Sequence, residues 1–251
     1  MEKRFEEGLL LAEKAGRFLR ENRNRPLVEK NLNYDVKLKQ DRESEDIILK
    51  GIENLFPGDG FLSEERGGKK TLSGWVWIID PLDGTVNYSS GIPHCCVSIA
   101  CKKGNRCFGI VYDFFRDEMF KALKGKGAFL NGGRIRTSDT SDLKDAIMSF
   151  GLMKSREEIT SGIDVFSGLA LKVKKVRIMG AAALDLCYVA SGRTDFFVET
   201  GLNAWDVAAG RIIVEEAGGE YREFNSGHSS LFYAGNKSMD MESLCTKLAG
   251  V

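Results

Sequence analysis

Two carboxylates, a glycine and a hydroxyl lie together in the segment Asp80-Pro81-Leu82-Asp83-Gly84-Thr85. The proline favours an extended backbone at Asp80, so this carboxylate should project from a strand end, and a turn should bring Asp83 back beside it. Paired carboxylates are ligands for hard cations such as Mg²⁺. The segment therefore predicts a magnesium site, with an ordinary Asp-rich turn as the alternative.

The rest of this segment supplies groups that suit a phosphate. Gly84 has no Cβ, so its backbone N–H can come close to an anion. Thr85 can cap a short helix, whose first amides favour phosphate. The same turn exposes the carbonyl of Leu82, which is a further oxygen ligand for a hard ion. Together these groups indicate chemistry on a phosphate.

Two further acidic positions lie where other elements begin or end. Glu64 and Glu65 follow the apolar segment Phe61-Leu62-Ser63, and their adjacent carboxylates repel each other unless a cation intervenes. Asp206 follows Trp205 at the start of a predicted helix. A solvated acidic loop and a helix N-cap are the alternatives for these positions. Three acidic element ends together fit a site for several Mg²⁺ ions.

The chain has only two histidines, His94 and His228, which excludes a histidine-rich metal centre. We expect both to be ordinary loop residues, and oxygen ligands favour Mg²⁺, Mn²⁺ or Ca²⁺ over Zn²⁺. The 36 basic residues balance 36 acidic ones, which argues against a protein that coats nucleic acid.

The remaining composition favours a cytoplasmic protein. The six cysteines form no C-x-x-C pair, so buried thiols kept reduced in the cytosol are the expectation. No apolar stretch reaches the length of a membrane span, and residues 1–20 lack the apolar centre of a signal peptide. We therefore expect neither a membrane nor a nucleic acid among its partners.

The elements that must position these groups follow from apolar spacing. Apolar residues recur at helical intervals from Phe5 to Leu19 and from about residue 41 to 55, with an irregular or extended segment between them. Strands are predicted at 61–63, 75–79, 95–101, 107–112, 118–123, 146–150, 176–179, 196–199 and 232–234. Helices are predicted at 181–191, at 207–217 and from 239 onward. The pattern favours two packed α/β halves, residues 1–143 and 144–251.

Two long motifs make a family resemblance specific. The segment from Trp77 to Tyr88, which contains the six central residues, resembles the first signature of the inositol monophosphatase family. The segment from Trp205 to Gly219 resembles the second, and the segment from Gly125 to Gly132 resembles the Gly-Ala-Phe-Leu-Asn-Gly turn of the family. The resemblance spans about residues 41–219. It implies an α/β fold built as a layered αβαβα sandwich with mixed and largely antiparallel sheets, commonly a homodimer.

The resemblance also implies a set of metal ligands. Glu64, Asp80 and the Leu82 carbonyl would hold one Mg²⁺, which activates water. Asp80, Asp83 and Asp206 would hold a second, near the leaving-group oxygen. Glu65 would support these ligands or help to hold a third, weaker ion, and Mn²⁺ is a possible substitute for Mg²⁺.

Catalytic and substrate-binding roles are implied in the same way. Thr85, paired with Asp41, would orient and deprotonate the attacking water, and the amides of Gly84 and Thr85 would bind the phosphate. Contacts to the hydroxyls of a sugar or inositol are implied for three further positions, which are Gly180, Ala181 and Glu199.

The substrate remains open among several monoesters. The chain departs from the family pattern at Ser63, at Lys39-Gln40 and at Ala181, and these departures leave the metal ligands intact. Glu199 favours inositol monophosphate, because a carboxylate accepts hydrogen bonds from ring hydroxyls. Fructose-1,6-bisphosphate is the nearest alternative, and phosphonucleotides and histidinol phosphate are further ones. A non-catalytic regulatory binding protein is the alternative from another class.

Overall fold

The computed structural model describes residues 1–31, 36–152, 156–225 and 230–239. Its helices are α1 (Glu2–Asn22), α2 (Lys39–Leu55), α3 (Thr85–Ser89), α4 (Arg156–Ala170), α5 (Ala182–Ala190) and α6 (Ala204–Glu216), with a 3₁₀ helix at Leu143–Asp145. The helix predicted from residue 239 onward, His228 and Cys245 lie outside the described residues, apart from Met239 at the start of that helix.

Two sheets form the framework. The strands are β1 (Val28–Asn31), β2 (Val36–Leu38), β3 (Gly60–Ser63), β4 (Gly67–Lys69), β5 (Val76–Asp83), β6 (Cys96–Lys103), β7 (Arg106–Asp113), β8 (Glu118–Leu123), β9 (Gly127–Leu130), β10 (Gly133–Ile135), β11 (Ile147–Phe150), β12 (Lys175–Arg177), β13 (Phe196–Thr200), β14 (Glu220–Asn225) and β15 (Ser230–Gly235). An eight-stranded sheet runs β10-β9-β8-β7-β6-β5-β3-β4, and a five-stranded sheet runs β12-β11-β13-β15-β14. β1 and β2 form a separate antiparallel pair.

Both large sheets are mixed. In the eight-stranded sheet β3 pairs in parallel with β5, while the other pairs are antiparallel. In the five-stranded sheet β11 is parallel to both β12 and β13, and β15 is antiparallel to β13 and β14.

The helices cover the sheets in layers. α1 and α2 pack on one face of the eight-stranded sheet, α5 and α6 lie between the two sheets, and α4 packs against the five-stranded sheet. Three apolar clusters fill the layers, and fully buried rings such as Trp77, Phe120 and Phe196 stand in different clusters. The layered αβαβα fold expected from the sequence is thereby confirmed.

Most predicted elements occur, and the differences have local causes. The turn expected after Asp80 is a bulge, because β5 continues to Asp83 and its pairing with β6 shifts register between these residues. Thr85 does not cap α3, since Gly84 is the N-cap and Thr85 is the first helical residue. α6 begins at Ala204, three residues before the predicted start. α4 was not predicted.

Candidate active site

The end of β5 is fixed by its own acidic side chain. Pro81 has no N–H to give to the sheet, and the Leu82 N–H donates to Asp80 Oδ1 at 3.0 Å. Pairing with β6 resumes at Asp83, opposite Cys96. Asp80 and Asp83 therefore both belong to one strand, separated by a bulge.

Gly84 occupies a position that requires glycine. Its φ is 84°, and an added Cβ would lie 2.9 Å from the His94 carbonyl oxygen and 3.0 Å from the Cys95 Cβ. α3 begins at the next residue, Thr85, whose hydroxyl donates to the Leu82 carbonyl at 3.0 Å. The tight backbone thus places the first amides of α3 directly beside the acidic strand end.

One face of α2 ties the first half of the site together. Asp41 Oδ2 accepts from the Leu38 N–H at 2.7 Å, at the start of the helix. One turn later, the Ser44 hydroxyl donates to the Pro81 carbonyl at 2.8 Å. Glu45, which is fully buried, accepts from the Glu65 N–H at 3.2 Å. The helix therefore holds both the bulge in β5 and the loop that carries the paired glutamates.

The second half of the chain is joined to this framework by polar contacts. Asp83 Oδ2 accepts from the Ala183 N–H at 2.8 Å, in the first turn of α5. The amide of Asn87 donates to the carbonyls of His94 and Met179 at 2.8 Å each. Asp83 and Asn87 thus connect β5 and α3 to the segment that starts α5.

Asp206 enters the site from α6. Its Oδ2 accepts from the Asn203 N–H at 2.6 Å, three residues earlier in the chain. Asp41 makes the same kind of bond with the Leu38 N–H. The N-cap of α6 is Asn203, and Asp206 is the third residue of the helix, so the N-cap alternative for Asp206 is wrong. Both aspartates lie in the first turn of a helix whose positive dipole end favours negative charge.

A cavity of about 260 Å³ collects most of the candidate residues. Its lining includes Glu64, Asp80, Leu82, Asp83, Gly84, Thr85, Gly180, Glu199 and Asp206 from the sequence analysis. Glu199 lies against Gly151, where any Cβ would overlap its carboxylate. Ala181 is buried behind the cavity against Gly84, and Asp41 and Glu65 also do not line it.

Negative charge is concentrated at the strand end. Burial raises the pKa of Asp80 well above its usual range, and the carboxylates of Glu64, Asp83 and Asp206 raise it further. Burial also raises the pKa of Asp41 to about 7, with Glu65 and Glu64 adding to the effect. One oxygen of Asp41 is buried without a hydrogen-bond partner. A bound cation would relieve this repulsion.

A lysine also contacts the two adjacent glutamates. The Lys37 amine bonds both Glu64 and Glu65, and the carboxylates outweigh burial so that the pKa of Lys37 is raised. In the described residues, no three acidic, histidine or cysteine side chains stand around a common point as a formed metal site would require. The donor set is nevertheless entirely oxygen, and carboxylate and carbonyl oxygens are the ligands that fit Mg²⁺.

Asp41 and Thr85 are engaged with different backbone groups. Asp41 bonds the Leu38 N–H and Thr85 bonds the Leu82 carbonyl. Their pairing around a water molecule stays a prediction. The Thr85 hydroxyl donates its proton to that carbonyl, and its oxygen can still accept from a water molecule.

Several residues of the site escaped the sequence analysis. Lys37 gave no signal beyond its position just before the helix that carries Asp41. Asn87 lies inside the first signature, but only the fold reveals that it joins the two halves. Gly151 follows a predicted strand, and its role depends on contact with Glu199, which is 48 residues away along the chain.

The histidine and cysteines behave as structural groups. His94 lies in a loop, as expected, but it is buried, and burial lowers its pKa to about 4. A neutral, enclosed imidazole does not line the cavity. The described cysteines are free thiols, and four of the five are buried: Cys95, Cys96, Cys101 and Cys187.

Comparison with known proteins agrees with this geometry. The model of the inositol monophosphatase family matches residues 2–249. The protein named Nus factor SuhB of Pasteurella multocida is 42% identical over 194 residues, which are 76% of this chain and 73% of the relative. The protein of the same name from Escherichia coli strain K12 is 40% identical over 225 residues, which are 87% of this chain and 84% of the relative.

Solved structures show the same fold. The extragenic suppressor protein suhB of Bartonella henselae aligns with a TM-score of 0.87 at 34% identity, covering 98% of this chain and 96% of that one. The Thermotoga maritima IMPase aligns with a TM-score of 0.86 at 32% identity, covering 99% and 97%. Among the described residues, no helix is both long and apolar enough to cross a membrane.

Proposed function

Because the chain belongs to the inositol monophosphatase family, we propose that it is a Mg²⁺-dependent phosphate monoesterase acting on inositol monophosphate or a related sugar phosphate. One observation carries the proposal. Glu64, Asp80, Asp83 and Asp206 reach a single cavity from three different elements, and the buried Asp80 among them has a strongly raised pKa. Clustered carboxylates with perturbed pKa values in a cleft are typical of catalytic sites.

The proposed metal ligands are those implied by the sequence, with Mg²⁺ as the ion and Mn²⁺ as a substitute. Glu64, Asp80 and the Leu82 carbonyl would hold one ion, and Asp80 would share a second with Asp83 and Asp206. When bound, Mg²⁺ supplies polarisation of the phosphoryl group and lowers the pKa of water.

The chain's own residues would then position the reactants. The backbone N–H groups of Gly84 and Thr85 would donate to the phosphoryl oxygens. Thr85 would orient the attacking water, and Asp41 would take its proton, as a carboxylate with a pKa near neutrality is suited to do. The new bond would join the water oxygen to phosphorus while the ester P–O bond breaks. The leaving alkoxide would become a hydroxyl by gaining a proton from solvent water, and Asp41 would return its proton to solvent.

Substrate choice would rest on Glu199. The Glu199 carboxylate lies against Gly151 and lines the cavity, where it would accept hydrogen bonds from the hydroxyls of an inositol or sugar ring. Fructose-1,6-bisphosphate offers a similar set of hydroxyls, so we propose it as the second substrate. Phosphonucleotides and histidinol phosphate rank below both.

Phosphate release from a panel of these monoesters tests the proposal. We expect turnover that requires Mg²⁺, with inositol monophosphate or fructose-1,6-bisphosphate used best, and loss of turnover in Asp83→Asn. This variant keeps an acceptor for the Ala183 N–H, so its folding should match that of the parent. Failure of every monoester in the presence of Mg²⁺ would refute the enzyme proposal.

A second function is favoured by the relatives named Nus factor SuhB. A regulatory binding role would persist in Asp83→Asn. Affinity capture from lysate with the parent and the variant separates the two functions, since a partner retained equally by both cannot depend on catalysis. The same captures address the expectation that the chain binds no nucleic acid.

We also propose that the protein is a cytoplasmic homodimer. The resemblance to the family supports this assembly. Light scattering on the purified chain would give the mass, and a monomer at micromolar concentration would refute the dimer.

A further inference from the structure

The amine of Lys37 lies between the two adjacent glutamates of the site. Its Nζ is 2.5 Å from Glu64 Oε1 and 2.5 Å from Glu65 Oε1. The side chains of Lys37, Glu64 and Glu65 are 24%, 15% and 9% exposed, so this cluster differs from the weak ion pairs of open surfaces. In the described part of the chain, all salt bridges to these two glutamates come from Lys37.

The backbone on both sides of the cluster is fixed. β2 turns Val36 and Leu38 into the core, so Lys37 between them projects from the other face of the strand. The Leu38 N–H is held by Asp41. On the glutamate side, buried Glu45 accepts from the Glu65 N–H. The meeting of the amine with the two carboxylates therefore follows from the packing of α2 with its neighbours.

Charge makes this arrangement consequential for metal binding. Two adjacent half-buried carboxylates attract a cation strongly, and a divalent ion would be drawn between them if the position were open. Lys37 fills the position with a single positive charge that belongs to the chain. Among the described contacts it bonds Oε1 of Glu64, and Glu64 also lines the cavity, so the second oxygen of this carboxylate would serve an ion there.

We propose that Lys37 is a built-in cation that takes the place of a metal ion between Glu64 and Glu65, so that divalent ions bind only at the inner carboxylates. The inference rests on the proposed metal site. In this arrangement Glu65 binds Lys37 instead of a metal ion. Divalent ions then bind only at the sites that include Asp80.

Counting bound Mn²⁺ tests this role. The parent, Lys37→Met and the control Lys39→Met would each be titrated with Mn²⁺, and electron paramagnetic resonance would measure the free ion. Lys39 is a suitable control because it pairs with Glu43 on the surface. We expect Lys37→Met to bind one more Mn²⁺ per chain than the parent, or to bind its outermost ion about tenfold tighter. Lys39→Met should match the parent.

Thermal unfolding in EDTA is the second measurement. In EDTA, Lys37→Met should have a lower Tm than the parent. Addition of Mn²⁺ should raise the Tm of Lys37→Met by more than it raises the Tm of the parent. If Lys37→Met does not fold, Lys37→Gln gives the same comparison, because it removes the charge but keeps a donor. Equal Mn²⁺ stoichiometry and affinity in parent and variant would overturn the inference alone. Absence of Mn²⁺ binding in all proteins would overturn the proposed metal site together with it.

Discussion

Replacing Gly84 by alanine should damage both folding and phosphate binding, and a second glycine provides a matched control. Gly84 has a φ of 84° and Gly91, in the turn after α3, has a φ of 73°. A Cβ at Gly91 would meet nothing within 4 Å, whereas at Gly84 it would meet the His94 carbonyl oxygen at 2.9 Å. The two substitutions share backbone strain and differ in steric contact.

The expected magnitudes follow from these two contributions. A left-handed conformation costs an alanine about 1–2 kcal/mol, which both variants should lose. Overpacking against a backbone carbonyl adds about 1–3 kcal/mol at Gly84 alone. Since 1 kcal/mol corresponds to about 2–4 °C in a chain of this size, Gly84→Ala should lower the Tm by about 10 °C and Gly91→Ala by about half as much.

Activity should separate the variants more strongly than stability. If the added Cβ moves the amides at the start of α3 by about 1 Å, the phosphate is misplaced, and about a hundredfold loss of kcat/KM is expected for Gly84→Ala. Gly91→Ala should keep the kcat/KM of the parent. Differential scanning calorimetry and phosphate release measure the two effects. Equal Tm and equal kcat/KM for both variants would refute the reasoning about the close approach at Gly84.

Three further predictions concern the groups around the site. Asn87→Ala should lower the free energy of unfolding by about 2–3 kcal/mol, because the carbonyls of His94 and Met179 lose their donor. Calorimetry measures this loss, and Ser89→Ala on the same helix should have little effect. Burial is the main cause that raises the pKa of Asp41 to about 7, so the metal-free protein should lose stability as pH rises from about 4 through 7. In EDTA, Asp41→Asn should show a smaller change of Tm over this pH range. Hydrogen bonds from Arg4, a serine and a tryptophan outweigh burial and lower the pKa of Asp59, so its stabilisation should be present at neutral pH and be lost as pH falls below about 4. In denaturant titrations, Asp59→Asn should cost about 3 kcal/mol at pH 7 and should weaken this acid dependence.

The sequence predicted the strongly periodic elements well. The helix from Phe5 to Leu19 lies within α1, and the meander of apolar strands appears as β6, β7 and β8. Local patterns are informative there for two reasons. α1 buries one face, which gives apolar residues at helical spacing, whereas β6 and β7 are covered by helices on both faces and therefore appear as nearly continuous apolar runs. α4 gave no comparable signal: its sequence contains Gly162 and Gly168, and its stability comes from packing of residues such as Leu169 on the five-stranded sheet.

Positions were predictable at the site, but the pairing of side chains was not. Two signatures placed Asp80, Asp83 and Asp206 at element ends, and all three line one cavity. The sequence could not show that Asp83 bonds an amide 100 residues further along the chain, or that Lys37 reaches Glu64. Such contacts depend on how layers stack, which local periodicity does not encode.

Asp83 connects two parts of the fold and is also a proposed metal ligand. Its Oδ2 accepts from the first turn of α5, so this carboxylate stabilises a helix of the second half while its backbone belongs to a strand of the first. Any metal ion held by Asp83 is therefore attached to the junction between the halves. Asp206 comes to the same cavity from the second half alone. An ion held by these two residues, as proposed, would favour the packed arrangement of the two sheets over a separated one, since only the packed arrangement offers both carboxylates.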